Sequence, residues 1–522
     1  MSIYSVNETG TRIYRTRFNL SFRKLLDCDF AKIIPVLAKF CIPGDVWKIG
    51  ADMLIRYQPT MAPPLTRAWA RVRYFFVPLR LVEENTEAII TGSKQGKLID
   101  TELPTFEKAF DRVVNPSCYQ VIKHSFWDYM GIPTIDYKNI KNNKSIPTAY
   151  WLKGYLRCFF DYYRDENLFP VNDFDVFCNA SLQRGGMYKL ESPALHKDYF
   201  TSSLPWQLKG STPMIEISGG MADFSNAVNN VHSEQVSSVG VSGDGILFTA
   251  DNSNYNQSLI EALNKNTING VGSISMDDLR TMAAQTRIFE RLARCGSRYT
   301  EYLRANFGTS PADGTLQRAQ YLGGFKQPIV TTEVVQTGGN DSLEVGTLRG
   351  HGISHGGNTI KPFVCKEFGM LFGLLDVLPE LQYTQGIDRE LTYDSRFDFF
   401  NPSFQHLSEQ EVRNGELFIS PDDGKNDDVF GYQAIYNELR TSRDLVVGDL
   451  RGFLSYWTQA VKFNVRPNLN YAFINSQSYL SNFHEPFTVQ SGALPMIVDF
   501  GNILDVYRPM VKYGTPGLVD HL

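Results

Sequence analysis

Apolar and polar positions alternate with period two near the start of the chain. From Arg15 to Arg23, Phe18, Leu20 and Phe22 face one way and Arg17, Asn19 and Ser21 the other, which is the pattern of a half-buried strand. Ile42-Pro43-Gly44-Asp45 reads as a turn, and Pro59, Pro63 and Pro64 mark another. RAWARVRYFFVP then predicts a strong strand, with Ala68, Ala70, Val72, Tyr74 and Phe76 on one face and Arg67, Trp69, Arg71, Arg73 and Phe75 on the other. The period lengthens to a helical one in three places. Leu152, Leu156, Phe159 and Tyr163 form the first apolar stripe. The second runs from about Asp277 to Arg294, with Ser275 and Asp278 as a capping box and Leu279, Met282, Phe289 and Leu292 as its stripe. Gly296 breaks it, and Ser297 to Phe307 predicts a short third helix stopped by Gly308. From Gln327 onward, short apolar segments alternate with Gly, Pro, Asn and Asp turns. This predicts a mainly β protein, a sandwich or jelly roll with long loops. No internal repeat is evident.

Composition sharpens this picture. The chain has 522 residues, 43% of them hydrophobic, which is enough for a sizeable core. Aromatics reach 13%, with 35 Phe and 26 Tyr, and such residues favour strands and dominate contact surfaces. A formal charge of −5 argues against a dedicated nucleic-acid binder, which would carry a basic domain. The seven cysteines (28, 41, 118, 158, 178, 295 and 365) are odd in number and contain no C-x-x-C pair, so free thiols in a reducing compartment are expected and no metal cluster. The N-terminus has no apolar run of a signal peptide, and no stretch approaches the ~18 apolar residues of a membrane span. Synthesis and folding in a cytoplasm are expected.

One window stands apart. Between Lys209 and Lys265 there is no Lys or Arg, whereas Glu216, Asp223, Glu234, Asp244, Asp251 and Glu261 supply negative charge amid Gly, Ser and Asn. Such a window is ill suited to nucleic acid. It reads either as a solvated loop or as a separate excrescence, and the β-prone pieces MIEI (214–217) and ILFT (246–249) favour something folded.

Several strings imitate catalytic or metal motifs. GISHG (Gly352 to Gly356) matches G-x-S-x-G, but that motif works only on a strand–turn–helix, and Gly356-Gly357-Asn358 cannot start a strong helix. A glycine-rich loop is the expected structure. His351 and His355 have the spacing of helical metal ligands, yet the flanking glycines disfavour a helix. Asp422-Asp423 and Asp427-Asp428 lie in a polar stretch that reads as a solvated turn. No phosphate-binding glycine loop is present. Arg12, Arg15, Arg17, Arg23 and Lys24 cluster near Tyr14 and Phe18, and Arg71 and Arg73 share a strand face with Trp69. Interleaved cations and aromatics suit either a DNA strand or subunit contacts, and the second use is the commoner one.

A set of landmark strings resembles one family. They are PGD (Pro43 to Asp45), YFFVPLRL (Tyr74 to Leu81), ITG (Ile90 to Gly92), YRDENL (Tyr163 to Leu168), LPWQLKG (Leu204 to Gly210), FERLARCGSRYTEYLRANFG (Phe289 to Gly308), LQRAQYLGG (Leu316 to Gly324), TEVVQT (Thr332 to Thr337), GHGIS (Gly350 to Ser354), YTQGIDR (Tyr383 to Arg389), LSEQEV (Leu407 to Val412) and FGYQAIYNELR (Phe430 to Arg440). Their order and spacing resemble the major capsid proteins of microviruses, the small single-stranded DNA bacteriophages, and among them the gokushovirus-like branch. The resemblance covers almost the whole length.

It implies a viral jelly roll of eight antiparallel strands with large inserted loops, and a T=1 icosahedral shell of 60 copies around a circular single-stranded DNA genome. It implies a structural protein without catalysis; no cofactor and no metal-site residues are expected, and an ion at a symmetry axis is left open. It divides the chain into a capsid body, 1–209 and 275–522, and a variable insertion, 210–274, that forms a protrusion at the three-fold axes. Glu216, Asp223, Glu234, Asp244 and Asp251 would then face the host. The implied partners are the genome, a small basic DNA-binding protein, a DNA pilot protein, an internal scaffolding protein and a host surface receptor, with no membrane insertion. The implied location is the virion, assembled in the bacterial host cytoplasm. A carbohydrate-binding β-sandwich surface protein and a hydrolase built on Ser354 are the competing readings.

Overall fold

A computed structural model describes residues 15–84, 86–91, 105–140, 145–210, 237–242, 245–250, 276–294, 299–307, 312–335, 348–405, 407, 409–421, 424–488 and 493–512. The chain divides into two compact units, one of Met1–Gln207 with Cys295–Leu522, the other of Leu208–Arg294. The smaller unit holds the antiparallel hairpin β6 (Ser237–Ser242) and β7 (Gly245–Ala250), which includes the predicted ILFT piece, and the helix Met276–Arg294. The predicted cap at Ser275 lies outside the described residues.

In the larger unit ten antiparallel strands form one hydrogen-bonded network. They are β1 (Thr16–Asn19), β2 (Phe22–Cys28), β3 (Ile34–Cys41), β4 (Val46–Tyr57), β5 (Ala68–Pro78), β8 (Gln320–Val335), β9 (Leu348–Thr359), β10 (Phe363–Val364), β11 (Gly369–Pro379) and β14 (Met496–Arg508). β12 (Glu409–Arg413) and β13 (Val429–Ala434) make a separate pair. The network curls into two layers because β8 serves both. Its first half, to Ile329, pairs with β5, and its second half, from Val330, pairs with β9. One layer is then β1 and β2 on β14, followed by β4, β9 and the end of β8; the other is the start of β8, then β5, β11 and β3. This curled antiparallel sheet agrees with the expected jelly-roll sandwich.

Period-two patterning explains the inner faces. Along β14, Met496, Val498, Phe500, Leu504 and Val506 are buried, while Ile497 and Ile503 face out. β4 contributes Trp47, Ile49, Met53 and Ile55 to the same core. Direct bonds cross between layers: Asn502 Nδ2 donates to the Val36 carbonyl at 3.2 Å, and Lys24 Nζ to the Pro35 carbonyl at 2.7 Å. The predicted single strand from Arg15 to Arg23 is interrupted after Asn19. There the Asn19 side chain accepts from the Ser21 amide, and the chain resumes as β2 with the same faces in and out.

β5 and β11 are covered on both sides. Inward go Val72, Tyr74 and Phe76; outward go Arg71, Arg73 and Phe75, beneath the helix Tyr150–Tyr162. That helix lies hard against β11 at Gly154, where a Cβ would come within 2.8 Å of Met370 and Phe372. Phe75 meets Tyr162 with ring centroids 4.9 Å apart. The described residues between 380 and 495 are mostly turns and short helical pieces around the β12–β13 pair, in line with the expected long loops.

Candidate assembly surface

The long segment after β11 carries a ribbon of exposed aromatics. Phe397, Phe399 and Phe400 are each more than half exposed, with Leu391 beside them in sequence. They are not loose. Phe400 packs on Tyr436 at 5.1 Å, Phe399 on Tyr393 at 5.7 Å and Phe397 on Phe404 at 6.2 Å. The Asn401 amide donates to Tyr436 Oη at 3.3 Å, and Tyr436 itself takes a left-handed φ of 59° to turn the chain there. Behind the ribbon lie charges that fix it: Arg389 reaches Glu416 at 3.2 Å and Glu438 at 3.8 Å, Tyr393 Oη donates to Glu438 at 3.1 Å, and Arg443 meets Asp388 at 2.5 Å. Asp388, Arg389, Glu416, Glu438 and Arg443 border a cavity of about 280 Å³. Further along, Phe453 is 87% exposed. An isolated exposed aromatic is ordinary, whereas several held rigidly in one segment mark a contact surface. The high aromatic content pointed to contact surfaces but to no particular residues. The available signal was the string RFDFFNPSF, dense in Phe without strand or helix period.

The basic residues singled out from sequence separate into different settings. Arg12 lies outside the described residues, and Arg15 is exposed. Arg17 and Arg23 stand on the outer face of the first layer. Each grips a carboxylate of β14 with two donors, Arg17 on Asp505 at 2.6 and 3.2 Å and Arg23 on Asp499 at 2.5 and 3.1 Å. Lys24 points inward, and its amine donates to the carbonyls of Pro35 and Tyr129. Burial pushes its pKa down to about 8. Arg71 is buried against Asp376. Arg73 is half-buried, with its guanidinium 4.7 Å from the centre of the Tyr163 ring. Glu216, Asp223, Glu234, Asp244 and Asp251 lie outside the described residues.

GHGIS is not the expected loop. It forms part of β9, and the glycines are there because neighbours come close: a Cβ on Gly352 would meet the Tyr57 ring at 2.3 Å, and one on Gly357 the Ala51 carbonyl at 2.2 Å. Ser354 is buried and His355 exposed, on opposite faces of a strand, so no nucleophile elbow exists. His351 and His355, four residues apart on a strand, are separated by roughly 13 Å and cannot share an ion. Among the described residues no group of three or more His, Cys, Asp or Glu is placed to hold a metal, and the six described cysteines are unpaired thiols.

Comparison with known proteins gives a consistent result. The profile of a family described as Capsid protein (F protein) matches residues 7–518. The chain is 29% identical to capsid protein VP1 of Chlamydia phage 1, over 97% of this chain and 96% of that one. It is likewise 29% identical to capsid protein VP1 of Bdellovibrio phage phiMH2K, covering 96% and 95%. Capsid protein VP1 of Spiroplasma virus 4 is 24% identical over 98% and 96%.

Proposed function

Because the chain belongs to the phage capsid protein (F protein) family, we propose that it builds a closed T=1 shell of 60 copies around a circular single-stranded DNA genome, with the Leu391–Phe404 ribbon and Phe453 as contacts between copies. The rigid exposed aromatic ribbon carries this reading. A shell needs contacts that repeat around its axes and close into rings, and many weak contacts together make it stable. Ring-shaped side chains held in place lose little freedom on docking. Arg17 and Arg23, on the exposed face of the first layer, keep donors to spare for a neighbour or the genome.

The acidic insertion, 210–274, serves in this reading as a surface protrusion toward the host, since a window without Lys or Arg is repelled by DNA. A small basic DNA-binding protein, a pilot protein and an internal scaffolding protein would supply functions that this slightly acidic chain lacks, and the virion, assembled in the host cytoplasm, would be its location. The test is imaging of particles after co-expression with those assembly partners. Uniform closed shells are expected; single subunits under every condition overturn the reading. A chain lacking residues 215–270 should still form shells but fail to attach to host cells. Normal attachment would remove the host-facing role.

A further inference from the structure

Two buried thiols meet at one margin of the sandwich. Cys41 is the last residue of β3, the strand that ends the second layer. Cys365 follows β10 and extends its pairing with β4 in the first layer. The Cys365 amide donates to the Asp45 carbonyl at 2.8 Å, and the Gly44 amide to the Cys365 carbonyl at 2.8 Å. The turn Ile42–Asp45 thereby folds Cys365 back on Cys41, and the two thiols share a hydrogen bond. The Cys365 thiol also donates to the Glu367 carbonyl at 2.9 Å. Both side chains are buried.

The turn that brings them together is fixed. Gly44 adopts a φ of 91°, and the Asp45 carboxylate accepts from the Ile42 amide at 3.1 Å and from Arg508 Nη2 at 2.9 Å. Other buried cysteines have different surroundings. The groups acting on Cys28, Cys158 and Cys178 are charged side chains and burial, not another thiol. Cys118 is half-buried on the helical turn Pro116–Tyr119. A disulfide requires two side chains that face each other over a short span, and thiols in hydrogen-bond contact meet that condition.

We propose that Cys41 and Cys365 form an oxidation site, which a peroxide closes to an intramolecular disulfide once the protein has left a reducing compartment. One sulfur, as its thiolate, attacks a peroxide oxygen. The O–O bond breaks, giving a sulfenic acid and hydroxide, which takes up the proton released by that thiol. The second sulfur then attacks the sulfenic sulfur, the S–O bond breaks, and the departing hydroxide leaves as water with the second thiol's proton. Two thiols and one hydrogen peroxide give one disulfide and two waters; the sulfurs lose two electrons and the peroxide gains them. Burial and the shared hydrogen bond hold Cys41 protonated, so the reaction is slow and waits on local opening of the turn, where Ile42, Pro43 and Gly44 are half-buried. The product ties the free margin of the second layer to the first and closes a loop that spans most of the chain, which restricts the unfolded state strongly. The site rests on the contact between the thiols; the occasion for oxidation, release of a particle from the cell, rests on the shell reading above.

The experiment uses the full chain, unassembled and freed of reductant, titrated with hydrogen peroxide until Cys118 is oxidised. Remaining thiols are alkylated in denaturant, and peptides are mapped by mass spectrometry before and after reduction. The expected product is the Cys41 peptide joined to the Cys365 peptide, two hydrogens lighter than their sum, with dithiothreitol restoring both. The oxidised chain should melt about 3 °C higher than the same material after dithiothreitol, a comparison that keeps methionine oxidation equal. Cys365→Ala should give neither the joined peptide nor the gain; the parent's peptide map decides even where that variant does not fold. Free Cys41 and Cys365 after Cys118 has reacted, or a link from either to a different cysteine, overturns the proposal. The expected link without a higher melting temperature overturns its role as a staple. Closure into shells is scored separately by imaging, so the two readings fail independently.

Discussion

Arg71 and Asp376 sit directly opposite one another on β5 and β11, and the Arg71 guanidinium, itself largely buried, donates twice to Oδ2 of the fully buried Asp376. Removing one member of such a pair leaves an uncompensated charge. Asp376→Ala should cost about 3–5 kcal/mol, measured by urea unfolding of the unassembled chain. The double variant Arg71→Met/Asp376→Leu should recover most of that loss, because apolar replacements of similar volume remove both desolvation penalties. A double variant as unstable as the single one would show that the pair itself is required.

The glycines of β9 give a graded test of its close packing. Gly352→Ala and Gly357→Ala push a methyl into the Tyr57 ring and the Ala51 carbonyl, and each should cost more than about 2 kcal/mol. Gly356→Ala meets only the end of the flexible Gln327 side chain and should cost clearly less. Melting temperatures of the three variants check the order.

Stability should fall steeply above pH 9. Burial holds the Cys28, Cys158 and Cys178 thiols neutral, with Cys178 pushed up to about 12, and a hydrogen bond to Cys365 together with burial does the same for Cys41. A folded pKa above the unfolded one gives stability that is complete below the unfolded value, near 9, and is lost as pH rises. Each thiol then contributes a loss of about 1.4 kcal/mol per pH unit. Lys24 works the other way. Its folded pKa of about 8 lies below the unfolded value, so it adds stability as pH rises from 8 to 10.5. Lys32, whose pKa burial also lowers, acts in the same direction as Lys24, so four thiols against two amines decide the sign. Melting scans in reductant from pH 7 to 10.5 should show a decline beginning near 9, and a flat profile would contradict the burial of these thiols.

Phe453→Ser should separate folding from assembly. At 87% exposure the ring contributes little to the isolated subunit, and the change should stay within about 0.5 kcal/mol. Loss of an anchor at every repeated contact should raise the concentration needed for shell formation about tenfold or more. Light scattering against protein concentration measures it.

The sequence was most informative where side chains themselves carry the period. Phe18 and Phe22 against Arg17 and Arg23, and the stripe from Leu152 to Phe159, correctly announced strands and a helix. β9 was illegible because Gly350, Gly352, Gly356 and Gly357 have no side chains to alternate; its strand state is imposed by β4 and β8 on either side. From sequence, the face of Arg71 and Arg73 read as one for a DNA strand or for subunit contacts. It is partly roofed by residues 150–197, a tertiary fact that no local pattern contains. Family-level landmarks foretold the capsid identity, whereas the aromatic ribbon was invisible because irregular segments have no period to break.

A sandwich whose layers touch only through side chains can peel along its interface when pulled. β8 forbids that along one edge, because the same sixteen residues run through both layers. Traction on one layer passes to the other as tension in an unbroken main chain, which is far stiffer than dispersion contacts. That edge of the tile should therefore be the last to open under mechanical load, and rupture should begin at the opposite margin, where β3 and the β1–β2 arm end their layers.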